Sequence, residues 1–328
     1  MPRKAPENRS TPPGDGAAHR LVGDIGGTNA RFAVATKGVV GEMTILPTRD
    51  YPTFEAAVRA YLETCADRGR ITEAGFAIAG PVIGDRIQFT NRAWQFSIAE
   101  LQARLGLRRL TVVNDFAANA LALPYLQPAD VEQVGKGVAV PGRPIGVLGP
   151  GTGLGVAGLI PTDAGWLPLS GEGGHTTLPA ASARESRIID KLRETHGHVS
   201  AERVLSGDGL LGLYGALAVV EGAKPVARTA ADVTDGALKG TDPLAGQATE
   251  MFCAILGTVA GNLALTLGAQ GGIYIAGGIV PRLGAYFARS PFRARFEDRG
   301  RFKAYLATIP TFVAVHKALA MVGLANLR

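Results

Sequence analysis

Short apolar runs separated by glycine turns set the pattern of this chain. Residues 21–24 are apolar up to a closing acid, Gly26-Gly27 turns the chain, and residues 31–35 resume in mostly apolar residues, which predicts strand–turn–strand. Apolar or small positions at Ala57, Val58, Tyr61, Leu62 and Cys65 have helical spacing and predict a helix over 54–68. Residues 74–79 and 110–113 read as buried strands. Ser97-Ile-Ala-Glu100 is a capping box that opens a short helix ending at Gly106. Residues 116–123 form a small-residue helix stopped before Pro124. The pattern then restarts, with strands at 144–148 and 156–160 around a glycine turn at 149–155. Helices are expected at 183–195, 201–205, 210–220 and 243–267, the last announced by Thr241-Asp242 before Pro243. A strand at 273–276 ends at Gly277-Gly278. Both glycine turns carry Gly-Thr ahead of a strand, a weak internal repeat that predicts two related α/β domains facing each other.

Length and composition narrow this picture. A chain of 328 residues exceeds the size at which one core divides, and 44 glycines suit many tight turns in an α/β protein. The net charge of +6 is scattered, and the basic cluster near residues 289–303 is broken by Glu297 and Asp298. It therefore reads as a solvated surface that helps draw in anionic ligands, with no nucleic-acid partner. Cys65 and Cys253 form no metal or disulfide spacing and fit a reducing cytoplasm. Residues 1–19 are polar with Pro and Gly, lack the apolar core of a signal peptide, and read as a disordered tail. No charge occurs between Met251 and Pro281, which is long enough to span a membrane. Thr258, Asn262, Thr266 and Gln270, followed by a break at Gly268, argue instead for a buried helix and no membrane partner. The spacing Gly257-x-x-x-Gly261 within it implies close helix packing.

The candidate chemistry lies at the turns. Backbone N–H groups in Gly-Thr turns make anion-binding concavities, and glycine lets a phosphate approach. There is no GxxxxGK[ST]. A literal GxGxxG at Gly153, Gly155 and Gly158 opens no helix, which argues against a dinucleotide fingerprint. Asp24 precedes the first turn. Such an acid either orients water on a Mg²⁺ that bridges nucleotide phosphates or stabilises its own turn. Asn114-Asp115 begins a helix after a strand. It is either an ordinary N-cap or the place for a general base in phosphoryl transfer to a hydroxyl. Gly171-Glu-Gly-Gly-His175 sets an acid and a base three apart between glycines, open to metal, catalytic and plain-turn readings. Glu202 reads either as a helix-start acid that complements the dipole or as an acceptor for a sugar hydroxyl.

These residues resemble the bacterial glucokinase family of the actin–hexokinase superfamily, from about Leu21 to near the C-terminus. Gly23-Asp-Ile-Gly-Gly-Thr-Asn-Ala-Arg31 is similar to its first phosphate motif, Asn114-Asp115-Phe116 to its catalytic segment, and Gly149-Pro-Gly-Thr-Gly-Leu-Gly155 to its second phosphate motif. Gly171–His175 and the segment 198–207 resemble its sugar-binding segments, and Ile275-Ala-Gly-Gly-Ile279 its adenosine motif. The resemblance implies two ribonuclease-H-like domains with a cleft between them. The small one would hold 20–124 plus about 315–328, with the last helix returning to it, and the large one 125–314. It implies an ATP:hexose 6-phosphotransferase making glucose 6-phosphate from glucose, the first step of glycolysis. Asp115 would be the base, and Asn91, Asn114, Glu172, His175 and Glu202 would bind the sugar with it. ATP would lie on Gly23, Asp24, Ile25, Gly26, Gly27, Thr28 and Asn29, on Gly151, Thr152 and Gly153, and on Gly277 and Gly278, with Mg²⁺ held by Asp24 through water. The helix at 116–123 would pack against the Gly257/Gly261 face at the hinge. The resemblance allows a homodimer.

Two further readings are set beside it. A sugar-sensing regulator on the same fold would resemble relatives with a helix-turn-helix ahead of the sugar domain, and the twenty or so residues before the first strand are too few for one. A zinc site at His175, as in a related sugar-kinase family, would need a cysteine cluster that Cys65 and Cys253 do not supply.

Overall fold

The computed structural model describes residues 19–66, 68–89 and 93–327. The tail up to residue 18 and Asn91 lie outside the described residues. The first half runs β1 (His19–Ile25), β2 (Asn29–Thr36), β3 (Val39–Val40), β4 (Thr44–Pro47), α1 (Phe54–Thr64), β5 (Ile71–Ile78), β6 (Arg86–Gln88), β7 (Gln95–Ser97), α2 (Ile98–Leu105), β8 (Arg109–Asn114) and α3 (Asp115–Ala122). The middle runs β9 (Val131–Val134), β10 (Ile145–Pro150), β11 (Leu154–Thr162), β12 (Gly165–Gly171), α4 (Ala183–His196), α5 (Gly207–Glu221), α6 (Ala230–Lys239) and α7 (Pro243–Leu267). The rest is β13 (Ile273–Ile275), α8 (Val280–Leu283), α9 (Ala285–Arg289), α10 (Phe292–Glu297), α11 (Lys303–Thr308), β14 (Thr311–Ala314) and α12 (Leu319–Ala325).

Two sheets repeat one plan. The first has the order β3-β2-β1-β5-β8, with β4 also on β2; the second has the order β12-β11-β10-β13-β14-β9. In each, a central strand forms a tight hairpin with the next and pairs in parallel with a later one: β1 with β2 and β5, β10 with β11 and β13. The register brings the strand ends level, because Ile25 pairs with Ile78 and Ile78 with Asn114. Ligands of α/β sheets gather at such carboxyl ends.

Aromatic rings fill the first core, where Phe54 meets Phe76 edge-on at 4.9 Å. The second core is built around α7, which is long and apolar enough to cross a bilayer yet buries Leu244, Phe252, Cys253 and Leu256 inside the molecule. Between the sheets lie α3 and α12. Ala118 of α3 shares a cluster with Val22, Ala77 and Met321, while Ala120 and Ala122 share another with Val147, Ala157 and Leu159. The last helix thus lies on α3 and on β1 of the first sheet.

Four expectations change. Helix α1 stops at Thr64, because Cys65 is extended at φ −86°, ψ 116°. Residues 201–206 form turns, closed by Val204 and Leu205 N–H groups on the Ala201 carbonyl; the helix waits for its cap at Ser206, whose oxygen accepts from Gly209 N. Strand β10 runs on through Pro150, so the second turn is confined to Gly151–Gly153. The small face of α7 does not meet α3. A Cβ at Gly257 would strike the Phe292 carbonyl and one at Gly261 the Phe296 carbonyl, so that face seats α10. Helix α3 packs on α12 instead, where a Cβ at Gly323 would strike the Ala118 carbonyl.

Candidate active site

The first turn is braced from a distance. Gly26 N–H donates to Asn29 O at 3.0 Å, while Thr48 donates its N–H to Thr28 O and its hydroxyl to Gly27 O, both at 2.9 Å. Thr48 is fully buried, and nothing in the sequence pattern marked it. Gly23 is required where the Phe32 and Phe76 rings close on β1, since a Cβ there would lie 2.8 Å from Phe76. Ile25 points into the core, so it offers the turn only its backbone. Thr28 is exposed, as is Thr152 on the second turn.

Asp24 sits opposite Arg31 across the hairpin, and their side chains pair at 2.9 Å. Burial pushes the Asp24 carboxyl above its usual range, and Arg31 opposes that. Arg31 is the partner that sequence reading left without a role. Among the described residues the second oxygen of Asp24 accepts no hydrogen bond, and no cluster of three His, Cys, Asp or Glu forms a ready metal cage. One carboxylate with a free oxygen fits Mg²⁺, which keeps most of its water and arrives on phosphates.

Asn114 is a true N-cap. Its oxygen accepts from Phe116 N at 2.8 Å and Ala117 N at 3.2 Å, and its amide donates to Gly80 O at 3.2 Å. That locks the start of α3 and aims Asp115 from its first position. Asp115 holds one oxygen on Phe116 N at 2.9 Å. Burial raises its carboxyl from 3.8 to about 6; the Phe116 amide opposes this, and the negative charges of Asp24 and Glu172 add to it. The three acids from separate parts of the chain therefore share one field.

The Gly171–His175 segment closes onto β11. Gly174 lies against the Leu154 carbonyl, which a Cβ would strike, and Gly173 packs on Val156. His175 stands between two acids, with Nε2 4.0 Å from Glu172 Oε2 and Nδ1 4.0 Å from Glu202 Oε1. Cys65 and Cys253 belong to different cores. Glu202 Oε2 accepts from Leu154 N at 2.8 Å. The other oxygen, Oε1, faces His175. After β13, Gly277 has φ +83° and a Cβ there would strike Pro150 O, so only glycine fits. Gly278 is exposed to open space beside it.

Paired hairpin-and-parallel sheets, two Gly-Thr turns at their ends and a half-buried carboxylate on the helix between them define a sugar kinase of the actin–hexokinase fold, with two ribonuclease-H-like halves. The model of the Glucokinase family matches residues 21–328. The chain is 52% identical to a glucokinase of Nitrobacter hamburgensis over 310 residues, 94% of this chain and 97% of that one. A glucokinase structure from an Antarctic psychrotroph superposes at TM-score 0.87 and 36% identity, over 94% and 98% of the two chains. A glucokinase of Streptomyces griseus, solved with glucose and AMPPNP, shares the fold at TM-score 0.60 and 19% identity, over 94% and 98%. The chain belongs to the glucokinase family and is a sugar-phosphorylating enzyme; these matches do not favour the sensor reading.

Proposed function

We propose that the protein transfers the γ-phosphoryl group of ATP to the 6-hydroxyl of D-glucose, with Asp115 as the general base. The observation that supports this is the state of Asp115: half-buried, tethered through one oxygen, and raised to about 6. At neutral pH such a carboxylate is mostly ionised yet basic enough to take a hydroxyl proton. Glu172, His175, Glu202, Asn114 and Asn91 would hold the sugar. The turns at 23–29 and 151–153, with Gly277 and Gly278, would hold the nucleotide, as the AMPPNP of the Streptomyces griseus enzyme supports. Mg²⁺, when bound with ATP, neutralises phosphate charge and would sit on the free side of Asp24 through water. We assign 20–124 plus 315–328 to a small domain and 125–314 to a large one, with the sugar between them. The two unpaired thiols suit a cytoplasmic enzyme feeding glycolysis. The test is a coupled assay for glucose 6-phosphate across sugar and donor panels. Activity with glucose and ATP that falls at least ~10²-fold in Asp115→Ala supports the reading. Near-full activity in that variant sinks the base assignment, and glucose binding without transfer from any donor sinks the kinase.

A further inference from the structure

The second phosphate turn is held at both ends by the segment that carries a sugar acid. At its exit, Leu154 N–H donates to Glu202 Oε2 at 2.8 Å. At its entrance, the Gly151 carbonyl accepts from Gly207 N at 2.8 Å. Ser206 ties the segment together by donating its hydroxyl to Glu202 O at 2.9 Å. The same segment is fixed to the Gly171–His175 turn, because Glu202 N–H donates to Gly174 O at 2.9 Å. The two oxygens of Glu202 thus face different ligands. One grips the backbone of the phosphate turn, and the other lies 4.0 Å from His175 Nδ1 on the sugar side. There is no slack at the grip, since a Cβ on Gly153 would lie 2.5 Å from Oε2.

We infer that Glu202 is a positioning residue that couples the sugar site to the second phosphate turn, so that sugar held on its outer oxygen fixes the turn for the phosphoryl donor. The inference rests on the sugar-site reading above and adds a consequence that reading does not contain. A carboxylate is rigid and planar, so a sugar hydroxyl that fixes one oxygen fixes the other and with it Leu154 N–H. By linkage the effect is reciprocal: donor and sugar tighten each other by the same factor.

Calorimetry on the full chain tests this, with glucose and magnesium AMPPNP as probes. In the wild type, saturating glucose tightens AMPPNP by roughly 5-fold or more, the usual range for coupled sites. Glu202→Ala brings that factor close to one. Glu202→Gln keeps most of it, because its amide oxygen still accepts from Leu154 N. Gly153→Ala approaches from the other side: its methyl displaces Oε2, and glucose measured without nucleotide binds more weakly although residue 153 touches no sugar. Thermal melts confirm that each variant is folded. Wild-type glucose binding with no coupling, or Gly153→Ala with unchanged glucose affinity, overturns the inference and leaves the proposed function standing. A wild type that binds no glucose overturns both.

Discussion

The role proposed for Asp115 sets catalysis against stability at the residue scale. Its carboxyl is raised from 3.8 to about 6, first by burial. A group raised in the folded state contributes stability below its unfolded pKa and loses it as pH rises through the folded value. At neutral pH the ionised Asp115 therefore costs about 2–3 kcal/mol. Asp115→Asn, which still offers an oxygen to Phe116 N, is expected to melt higher than the wild type at pH 8. The gap closes as pH falls from 6 to 4. The same variant loses ~10²–10⁴-fold or more in turnover. Wild-type kcat/KM for glucose should fall with unit slope below about pH 6. A flat profile down to pH 5 would remove Asp115 from the role of base.

At the scale of elements, what was legible in the sequence obeyed local rules. The hairpins β1–β2 and β10–β11 are apolar runs around glycine, the 25 residues of α7 sit between an Asp242 cap and Gly268, and Asn114 is a cap. What was not legible depends on distant partners. Thr48 braces the first turn from another strand's end. Residues 201–206 have helix-like composition, but their backbone serves Gly174 and Ser206. The glycines of α7 announced a close crossing, but the partner is α10 and not the helix at 116–123 that the resemblance implied. Helix α3 has its own seat: the Phe116 ring covers Gly155, where a Cβ would strike it, and Ala118 meets Gly323. The two glycine faces should therefore behave differently. Gly257→Ala is expected to cost about 1–3 kcal/mol by overpacking while kcat of the folded protein is unchanged, because Gly257 faces α10 and not α3. Gly155→Ala presses on the residue after Asp115, so kcat falls at least tenfold, and a second change, Phe116→Leu, restores part of it. Equal kcat losses in both single variants would mean that α7, not β11, seats α3.

For the whole molecule, the question is what keeps the returning C-terminus in place, since α12 supports α3 and α3 carries Asp115. Its last carbonyls, Leu324 O and Ala325 O, accept from Arg20 at 3.2 and 3.1 Å. Arg20 is in turn held by Glu73 at 2.7 Å, with Arg109 at 3.1 Å and Arg108 on the other oxygen. Burial alone would raise Glu73, but Arg20 and Arg108 hydrogen bonds and the Arg109 charge bring it down to about 2. Sequence ends more than 300 residues apart thus meet at one buried acid. Glu73→Gln leaves Arg20, mostly buried, without its counter-charge, and breaking such a pair costs about 3 kcal/mol. Because a depressed pKa contributes stability above the unfolded value and loses it as pH falls through the folded one, the deficit should be constant from pH 5 to 8. It narrows only below about 4.5, the opposite slope to Asp115→Asn. Hydrogen exchange locates the damage: α12 and the first turn of α3 lose protection while the centre of α7, packed in the other core, keeps its own. Uniform loss across both cores would show that the two halves unfold as one unit and that the Arg20–Glu73 pair is not a local clasp.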